Sequence, residues 1–420
     1  MDEKCFRGAD ILLPDTKKCS LESWAVVACD QFTSEPEYWH NAEKIVGELP
    51  STLNMILPEV YLDESEQRIP RINATMEEYA RDILVEYPDS MIYVERTQSD
   101  GSVRKGVILA VDLECYDYQK GADSLIRATE ATVVERIPPR VAIRRDASLE
   151  LPHIMMLIDD PDRTVIEPLS SLEGGETVYD FELMLGGGHI KGAIIDGERR
   201  EALSKALSEL ITPENMEKKY GSSELAPLLF AVGDGNHSLA SAKAAYEEIK
   251  NKLGENAVDH PARYALAEVV NIHDEALKFE PIYRIMTDVD CEEVMHELGE
   301  YASALSGSAD RQRIEYIIGG EKKGEIVIDL PEQQLAVGTL QSFIDWYMKT
   351  HPYAKVDYIH GEDSIRALSR KINSIGFVFD GMEKSQLFKT VIFDGALPRK
   401  TFSMGHAVDK RYYLECRKIK

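Results

Sequence analysis

One stretch near the middle of the chain constrains the fold most: an apolar run, a polar turn with two glycines, and a helical pattern. The apolar run covers residues 228–232 and the turn covers 233–238. In residues 239–253 apolar side chains recur at helical spacing, and Gly254 follows where a helix would end. The pattern predicts a strand, a tight loop and an amphipathic helix, around which the remaining elements must be arranged.

The loop between this strand and helix is suited to binding an anion. Gly233 and Gly235 permit backbone conformations that other residues avoid, and they let a ligand approach the main chain. The first N–H groups of a helix lack partners and lie at the positive end of its dipole. Asp234 and His237 beside such a pocket are candidates to bind a metal or to transfer a proton. The loop residues predicted to bind phosphate or another ligand are Gly233, Gly235, Asn236 and Ser238.

A purely local interpretation of the loop is also open. Asp234 or Asn236 would then cap the helix, and His237 would be an ordinary turn residue, since short polar residues are common at helix starts. The loop, however, combines two glycines with four polar side chains. A cap needs only one of them, so we favour a binding loop.

Length and composition indicate a globular, water-soluble protein. The 420 residues are 44% hydrophobic and 29% charged, enough for a large core and for two domains. No apolar run approaches the ~20 residues of a membrane span, and residues 1–5 are too polar for a signal peptide. Six scattered cysteines without a Cys-x-x-Cys pair fit reduced thiols. We therefore expect a cytoplasmic protein.

The charge of the chain restricts its partners. A formal net charge of −26 repels nucleic acid and anionic membranes. Nucleic-acid binding and membrane association are therefore not expected. A site for an anionic small molecule must be built from arginines and lysines that are gathered locally.

An arginine-rich segment between residues 127 and 145 is the second candidate site. Its guanidinium groups could recognise phosphate or carboxylate in a bidentate manner, or could simply form surface ion pairs. Pro138 and Pro139 argue against a continuous helix here, so the arginines are expected on a turn or an extended connection. The candidates for phosphate or ligand binding are Arg127, Arg136 and Arg140.

Other elements are predicted with less direct bearing on a site. Residues 24–32 predict a strand that ends in Asp30, either at the rim of a pocket or at an ordinary helix cap, and Cys29 is expected to be a small buried hydrophobe. A division into domains at 1–211 and 212–420 fits the breaks in the pattern. Further predictions are paired strands at 91–94 and 106–113, a helix at 198–211, a strand beside the central motif at 264–271, and a strand at 389–393.

Three motifs together resemble the DUF1015 family, whose members have no assigned activity. The loop from Asp234 to Ser238 is similar to the family's Asp-Gly-His-His-Arg signature, with Asn236 and Ser238 as departures. Arg127, Glu130, Thr132 and Arg136 match an Arg-x-x-Glu-x-Thr element followed by a further Arg. Residues 397–402, with Lys400 and Thr401, resemble the family's Met-Pro-x-Lys-Ser-Thr ending.

The resemblance implies an α+β (mixed α/β) fold with a ParB/sulfiredoxin-like core and additional sheets and helices. Because that superfamily includes nucleotide-using enzymes, it also implies a nucleotide-dependent phosphotransferase acting on a small metabolite. ATP or ADP with Mg²⁺ would be the cofactor, Lys400 would contact phosphate, and a homo-oligomer is compatible with the sequence. The residues implied as catalytic are Asp234, His237 and Glu130; no metal ligand is assigned.

The alternative is a ligand-binding or regulatory protein that performs no chemistry. It is favoured by the loss of the signature arginine at Ser238, since that arginine would contact phosphate or substrate. The two hypotheses differ in whether another cation, such as Arg127, Arg136 or Lys243, occupies the space beside Ser238.

Overall fold

The computed structural model describes residues 5–130, 137–171 and 175–420, and the chain divides into two compact units. Unit 1 comprises Met1–Ala128, Thr132–Leu277 and His406–Lys420, and unit 2 comprises Thr129–Ala131 and Lys278–Gly405. Unit 2 is thus inserted, in chain order, before the last segment of unit 1. The boundary predicted between residues 211 and 212 lies inside unit 1 and stays a prediction.

Among the described residues, fourteen strands of unit 1 precede the six strands of unit 2 in the chain, and two short strands of unit 1 follow them. In chain order, the strands of the described residues are β1 (Phe6–Arg7), β2 (Ala9–Pro14), β3 (Val26–Val27), β4 (Leu84–Ser90), β5 (Ile92–Thr97), β6 (Val103–Asp112), β7 (Tyr116–Asp117), β8 (Ile126–Ala128), β9 (Leu149–Glu150), β10 (Met155–Ile158), β11 (Thr177–Leu183), β12 (Gly188–Ile194), β13 (Phe230–Asp234), β14 (Tyr264–Asn271), β15 (Phe279–Thr287), β16 (Gln312–Ile318), β17 (Glu321–Ile328), β18 (Lys355–His360), β19 (Ser374–Val378), β20 (Phe402–Met404), β21 (Tyr412–Tyr413) and β22 (Arg417–Lys418).

The helices follow the same division, seven in unit 1 and four in unit 2 among the residues described. They are α1 (Leu21–Trp24), α2 (Pro36–Val46), α3 (Ser65–Asp82), α4 (Ile137–Arg145), α5 (Gly197–Glu209), α6 (Pro213–Tyr220), α7 (Asn236–Leu253), α8 (Cys291–Ala304), α9 (Ala336–Thr350), α10 (Glu362–Leu368) and α11 (Lys384–Asp394). None of the helices within these described ranges is long and apolar enough to cross a bilayer. The mixed α/β fold class predicted from the sequence is confirmed; a ParB/sulfiredoxin-like core stays a prediction.

A ten-stranded mixed sheet forms the centre of unit 1. Its strand order is β11-β12-β5-β6-β14-β10-β13-β8-β7, with β1 paired to β6. The pairs β10/β14, β8/β13 and β7/β8 are parallel, and the remaining pairs are antiparallel. The predicted pairing of strands near 91–94 and 106–113 is confirmed as β5 and β6. The predicted position of 264–271 was wrong in detail, because β10 lies between β14 and the motif strand β13.

Both faces of this sheet are covered, which explains why its central strands are apolar throughout. On β6, Ile108 and Ala110 contribute to one hydrophobic cluster, whereas Val107 and Leu109 contribute to the other. Alternate side chains of a strand point to opposite faces, so each face has its own core. Strands that are buried on both faces lose the alternation of polar and apolar residues.

The strand–loop–helix unit predicted from residues 228–253 is confirmed as β13, a short turn and α7. Gly254 follows α7 with a positive φ of 57°, a conformation that suits glycine at a helix end. The predicted helix at 198–211 is confirmed as α5. The motif therefore lies at the end of a strand within the large sheet of unit 1.

The arginine-rich segment differs from its predicted form. Residues 137–145 form α4, although Pro138 and Pro139 were taken to exclude a helix. The two prolines occupy the second and third positions of α4, where backbone N–H groups have no partner within the helix. Proline is therefore tolerated there, and Arg140 lies on a helix rather than on a turn. Arg136 lies outside the described residues.

Unit 2 is built on a six-stranded antiparallel sheet. Its order is β17-β16-β19-β15-β18, with β20 paired to β15. The strand predicted at 389–393 was wrong, because these residues lie in α11. A reciprocal capping box between Glu383 and Gln386 starts this helix, and Leu387, Phe388 and Val391 form its buried face at helical spacing.

A fully buried ionic network crosses the interior of unit 1. Glu268 on β14 lies 2.7 Å from Arg411 and 3.3 Å from Arg104. Arg411 also pairs with Glu415, which accepts a hydrogen bond from Tyr179 at 2.6 Å. Burial alone would raise the pKa of Glu268, but the charges of the two arginines lower it. The carboxylate therefore stays ionised inside the core.

Candidate functional site

The loop between β13 and α7 has an unusual start for a helix. Gly235 is the N-cap of α7, has a positive φ of 79°, and offers no side chain to the first turn. Asp234 accepts a hydrogen bond from Gly235 N at 3.0 Å, and Asn236 Nδ2 donates to Val232 O at 3.3 Å. Neither polar side chain is therefore the N-cap that the local interpretation expected, and the end of α7 is compatible with an anion.

Both glycines of the loop also have a packing role. A Cβ on Gly233 would lie 2.8 Å from Leu157 Cγ, and one on Gly235 would lie 3.1 Å from Ile154 Cα. Larger residues at either position would push the loop away from the neighbouring segment that leads into β10. Packing alone explains glycine here, and a role of either glycine in ligand binding stays a prediction.

A cation from a distant part of the sequence lies at the loop. Lys410 Nζ is 3.1 Å from Asp234 Oδ2, and both side chains are largely buried. Burial alone would raise the pKa of Asp30, but the charges of His153 and Lys410, with a hydrogen bond from Gln31, lower it. Two carboxylates therefore lie near one ammonium group.

Next to these charges, a buried histidine connects three polar side chains. Nε2 of His153 lies 3.2 Å from Ser238 Oγ and 3.9 Å from Asp30 Oδ2. Its Nδ1 lies 2.8 Å from Tyr413 OH, which accepts a hydrogen bond from the amide of Cys29 at 3.2 Å. The imidazole is fixed by these contacts and can pass or hold a proton between the loop and its surroundings.

Three of these groups, His153, Ser238 and Tyr413, line a small cavity of about 170 Å³ in unit 1, whereas Asp30, Asp234 and Lys410 are not among its lining residues. The other polar residues of the lining are Cys29, Arg140, Arg144, Glu150 and Ser241, and the rest of the lining is apolar. Burial raises the pKa of Cys29 to about 12, so the thiol stays protonated at neutral pH and is no nucleophile. This agrees with the expectation from the sequence that Cys29 behaves as a small hydrophobe.

Of the described arginines in the second candidate segment, Arg140 and Arg144 line the cavity, whereas Arg127 and Arg145 do not. Arg127 is buried and donates hydrogen bonds of 2.8–3.1 Å to the carbonyl oxygens of Ser124, Ala226 and Pro227. Arg140 does line the cavity, where it pairs with Glu59. A structural role thus accounts for Arg127, while Arg140 remains available as a ligand-binding candidate.

Three further candidates lie elsewhere. Lys243 pairs with Glu247 at 2.8 Å along α7. Glu130 and Lys400 both belong to unit 2, where Glu130 forms an isolated bridge with Leu397 and Lys400 Nζ lies 4.9 Å from the centroid of the Tyr358 ring. His237 is half-buried on the first turn of α7, and its carbonyl oxygen accepts a hydrogen bond from Ser241.

The sequence did not single out His153, Lys410 or Tyr413. The strand pair β3/β21 brings Tyr413 opposite Val26, close to Cys29 and Asp30. Only the end of residues 24–32 gave a usable signal, since Asp30 was expected either at a pocket rim or at a helix cap. The strand predicted there is shorter than expected, because β3 covers only Val26–Val27 and Asp30 lies in the turn that follows. The site as observed combines two carboxylates, a lysine, an imidazole and a hydroxyl at one end of α7.

Most of the chain matches one known protein family. Residues 9–384 match the family described as "Protein of unknown function (DUF1015)". The chain belongs to the DUF1015 family. The match covers most of both units and contains the loop and arginine motifs, so the family predicted from the sequence is confirmed. Residues 397–402 lie beyond the match, and their likeness to the family's ending stays a prediction. A search of curated proteins gives no match.

Among solved structures, this DUF1015 member is similar to a conserved hypothetical protein from Pyrococcus furiosus, with 12% identity, a TM-score of 0.33, and coverage of 74% of this chain and 95% of that one. It is also similar to free serine kinase in complex with AMP, with 10% identity, a TM-score of 0.35, and coverage of 74% and 92%. A third similar structure is SbnI from Staphylococcus aureus with a C-terminal truncation, with 11% identity, a TM-score of 0.34, and coverage of 73% of this chain and 85% of that one. Similarities this weak carry no argument about function.

Proposed function

We propose that this DUF1015 protein is a nucleotide-dependent phosphotransferase acting on a small metabolite, with its site at the start of α7. The observation that supports this most is the grouping, within unit 1, of a helix start without a capping side chain, the Lys410 ammonium group and the Asp30–His153 pair. An anion site and a proton-transfer site adjoin there. Phosphoryl transfer needs both.

In this proposal the phosphate binds at the loop. The main-chain N–H groups at the start of α7 and the ammonium group of Lys410 would neutralise its charge. Lys410 would take the part of the signature arginine that Ser238 replaces, and Asp234 would position Lys410. His237, on the first turn of α7, would orient the phosphate.

The acceptor would occupy the adjoining cavity, whose volume of about 170 Å³ suits a small molecule rather than a polymer. Its hydroxyl oxygen would form a bond to phosphorus while the bond from phosphorus to the leaving nucleotide oxygen breaks. Asp30, kept ionised by its lowered pKa, would accept the hydroxyl proton, and His153 would hold the acceptor beside it.

Mg²⁺ is the usual companion of a nucleotide, since it neutralises charge on phosphate oxygens. Asp234 does not fit as its ligand as it stands. One of its oxygens accepts the amide of Gly235 and the other pairs with Lys410. We therefore assign no step to a metal ion, and Mg²⁺ stays a prediction.

The second candidate is a protein that binds a small ligand without transforming it. Two contacts favour it: Arg127 is engaged by three carbonyl groups and Arg140 is paired with Glu59, so neither is poised over the loop. The same binding site would then serve regulation or storage. Turnover distinguishes this candidate from the first.

The test begins with ligand binding to the whole chain. Thermal shift is measured with ATP, ADP, AMP and inorganic phosphate, with and without Mg²⁺, on wild type, His237→Ala and Lys410→Met. A ligand at a hundredfold excess over its Kd adds about 2.7 kcal/mol of stability. A nucleotide shift that both variants lose supports the site, and the absence of any shift refutes the nucleotide proposal.

Turnover is then measured as nucleotide consumption in the presence of small hydroxyl-bearing metabolites. The phosphotransferase proposal requires consumption that depends on one of them and falls in Asp30→Asn. Binding without consumption by any acceptor would instead favour the non-catalytic candidate.

A further inference from the structure

Unit 2 contains a second cluster of potential ligands, unrelated to the loop. Glu293 and Glu297 lie one turn apart on α8, and His351 immediately follows α9. One ligand atom from each lies within 4.8 Å of the other two. His351 Nε2 is 3.7 Å from a Glu293 oxygen and 3.9 Å from a Glu297 oxygen. Three donors from two helices therefore surround one point.

The imidazole of His351 is held in one orientation and one tautomer. Its ring stacks on that of Tyr347, with centroids 3.9 Å apart and planes 7° apart. Nδ1 lies 3.1 Å from Tyr347 O and 3.0 Å from Thr350 Oγ1. Because Thr350 donates its own proton to Tyr347 O, both neighbours of Nδ1 act as acceptors. Nδ1 therefore carries the proton, as metal-bound histidines usually arrange it.

This arrangement aims the Nε2 lone pair at two carboxylates. A lone pair and two anions repel one another unless a proton or a metal ion lies between them. In addition, Glu297 Oε2, the neighbour of the oxygen that lies 3.9 Å from His351 Nε2, is buried and has no hydrogen-bond partner among the described residues. A buried carboxylate oxygen without a partner is costly, and coordination would satisfy it.

We propose that Glu293, Glu297 and His351 bind a divalent transition metal, with Zn²⁺ as the ion that suits one imidazole and two carboxylates. Tetrahedral ligands about 2.0–2.1 Å from Zn²⁺ lie about 3.3 Å apart, so His351 Nε2 and each carboxylate need to approach by about half an ångström, and the two carboxylates by at most about 1.5 Å. Small rotations of the two glutamates supply this. Water takes the fourth position, and the ion fastens α8 to the end of α9.

The experiment uses the full chain, freed of metal with a chelator, and titrates it with Zn²⁺ by calorimetry. Wild type is expected to bind one Zn²⁺ that His351→Ala and Glu297→Gln each weaken by at least tenfold. His296→Ala is the matched control, because His296 also lies on α8, 3.9 Å from Glu300 one turn away. Both of these side chains are exposed, and among the described residues no third ligand joins them. The His296→Ala variant should bind Zn²⁺ with the same affinity as wild type.

Glu297→Gln preserves the shape of the side chain and separates loss of binding from loss of folding, which circular dichroism checks. Zn²⁺ held by cysteine thiols would persist in both variants. Equal affinity of wild type and His351→Ala for every bound ion would overturn the proposal, as would a correctly folded wild type that binds no Zn²⁺.

Discussion

Lys410 and Asp234 form an ion pair of 3.1 Å at the start of α7, and they come from segments of unit 1 that lie on opposite sides of unit 2 in the chain. The pair sets the charge at the loop: the carboxylate alone would repel an anion from the helix end, and the ammonium group offsets it. In the proposed function, anion binding at this position therefore depends on a residue that lies far from the loop motif in sequence.

Lys410→Met should weaken the binding of nucleotide or phosphate by about tenfold or more. The substitution removes the cation and leaves Asp234 unpaired, and hydrogen bonds to charged groups contribute about 1.5–3 kcal/mol. Kd is measured by calorimetry. Lys418→Met is the control, since Lys418 belongs to the same segment but is exposed and pairs with Glu86 at the surface. Equal weakening in both variants would point to a general charge effect instead.

Asp30→Asn should lower turnover by about a hundredfold or more while the affinity for nucleotide changes little. An amide cannot accept the acceptor's proton, and positioned proton transfer contributes about 10²–10⁴-fold to rate. Comparison of kcat with KM separates the two effects. Asp162→Asn, an exposed aspartate paired with Lys218, is expected to leave both values unchanged. A rise in KM without loss of kcat would contradict a role in proton transfer.

Substitution of Arg127 should chiefly lower stability, whereas substitution of Arg140 should chiefly lower ligand affinity. Arg127→Met is expected to lower the free energy of unfolding by about 1–3 kcal/mol, because three carbonyl groups lose their donor. Its effect on ligand affinity should be small. Arg140→Met should chiefly weaken ligand binding, since Arg140 lines the cavity. Urea denaturation and calorimetry on the same two variants measure both quantities. A large loss of affinity in Arg127→Met would restore the role predicted from sequence.

Glu268→Gln should destabilise the protein by about 3–5 kcal/mol at pH 7, because buried Arg104 loses its carboxylate partner and buried Arg411 keeps only Glu415. The lowered pKa of Glu268 means that its contribution is fully present above the ordinary glutamate pKa of about 4.3 and is lost as pH falls through the lower folded pKa. The difference from wild type should therefore be constant from pH 5 to 8 and shrink in stronger acid. Urea denaturation across this range tests it. A difference in unfolding free energy between wild type and variant that grows on acidification would contradict a lowered pKa of Glu268.

Gly235→Ala should destabilise the protein more than Gly221→Ala. Both residues have the left-handed conformation at an end of a helix, with φ of 79° and 81°, so each substitution carries a strain of about 1–2 kcal/mol. Only at Gly235 would the new Cβ approach a neighbour, at 3.1 Å from Ile154 Cα, whereas nothing lies within 4 Å at Gly221. Thermal unfolding measures the difference. Equal losses would show that the loop adjusts without cost.

Local sequence patterns predicted those elements whose structure is determined by their own residues. The β13–α7 unit, the β5/β6 pair and α5 were found because glycines, apolar spacing and a turn signal lie within a short window. α4 was missed since the position of a proline within a helix matters more than its presence. Residues 389–393 were misread because an apolar run of that length fits a strand and a buried helix equally well.

The site was predicted only in part for a different reason. Asp30, Asp234 and Ser238 belong to segments with a local signal, but His153, Lys410 and Tyr413 reach them through tertiary pairing. The two-residue strand β21 aligns Tyr413 with Val26, and no pattern in the sequence around 412–413 predicts this pairing. Arg127 shows the converse: a residue inside a family motif whose observed contacts are all with carbonyl groups of its own unit.

The insertion of unit 2 before residues 406–420 has a consequence for biosynthesis. A ribosome makes all of unit 2 before it reaches Lys410, Arg411 and Tyr413. Until then Glu268 lacks one of its two arginines, and the loop lacks its lysine. Unit 2 can fold as it emerges, whereas unit 1 must wait with an incomplete core and an incomplete site. The proposed binding site is thus complete only after both units have been translated.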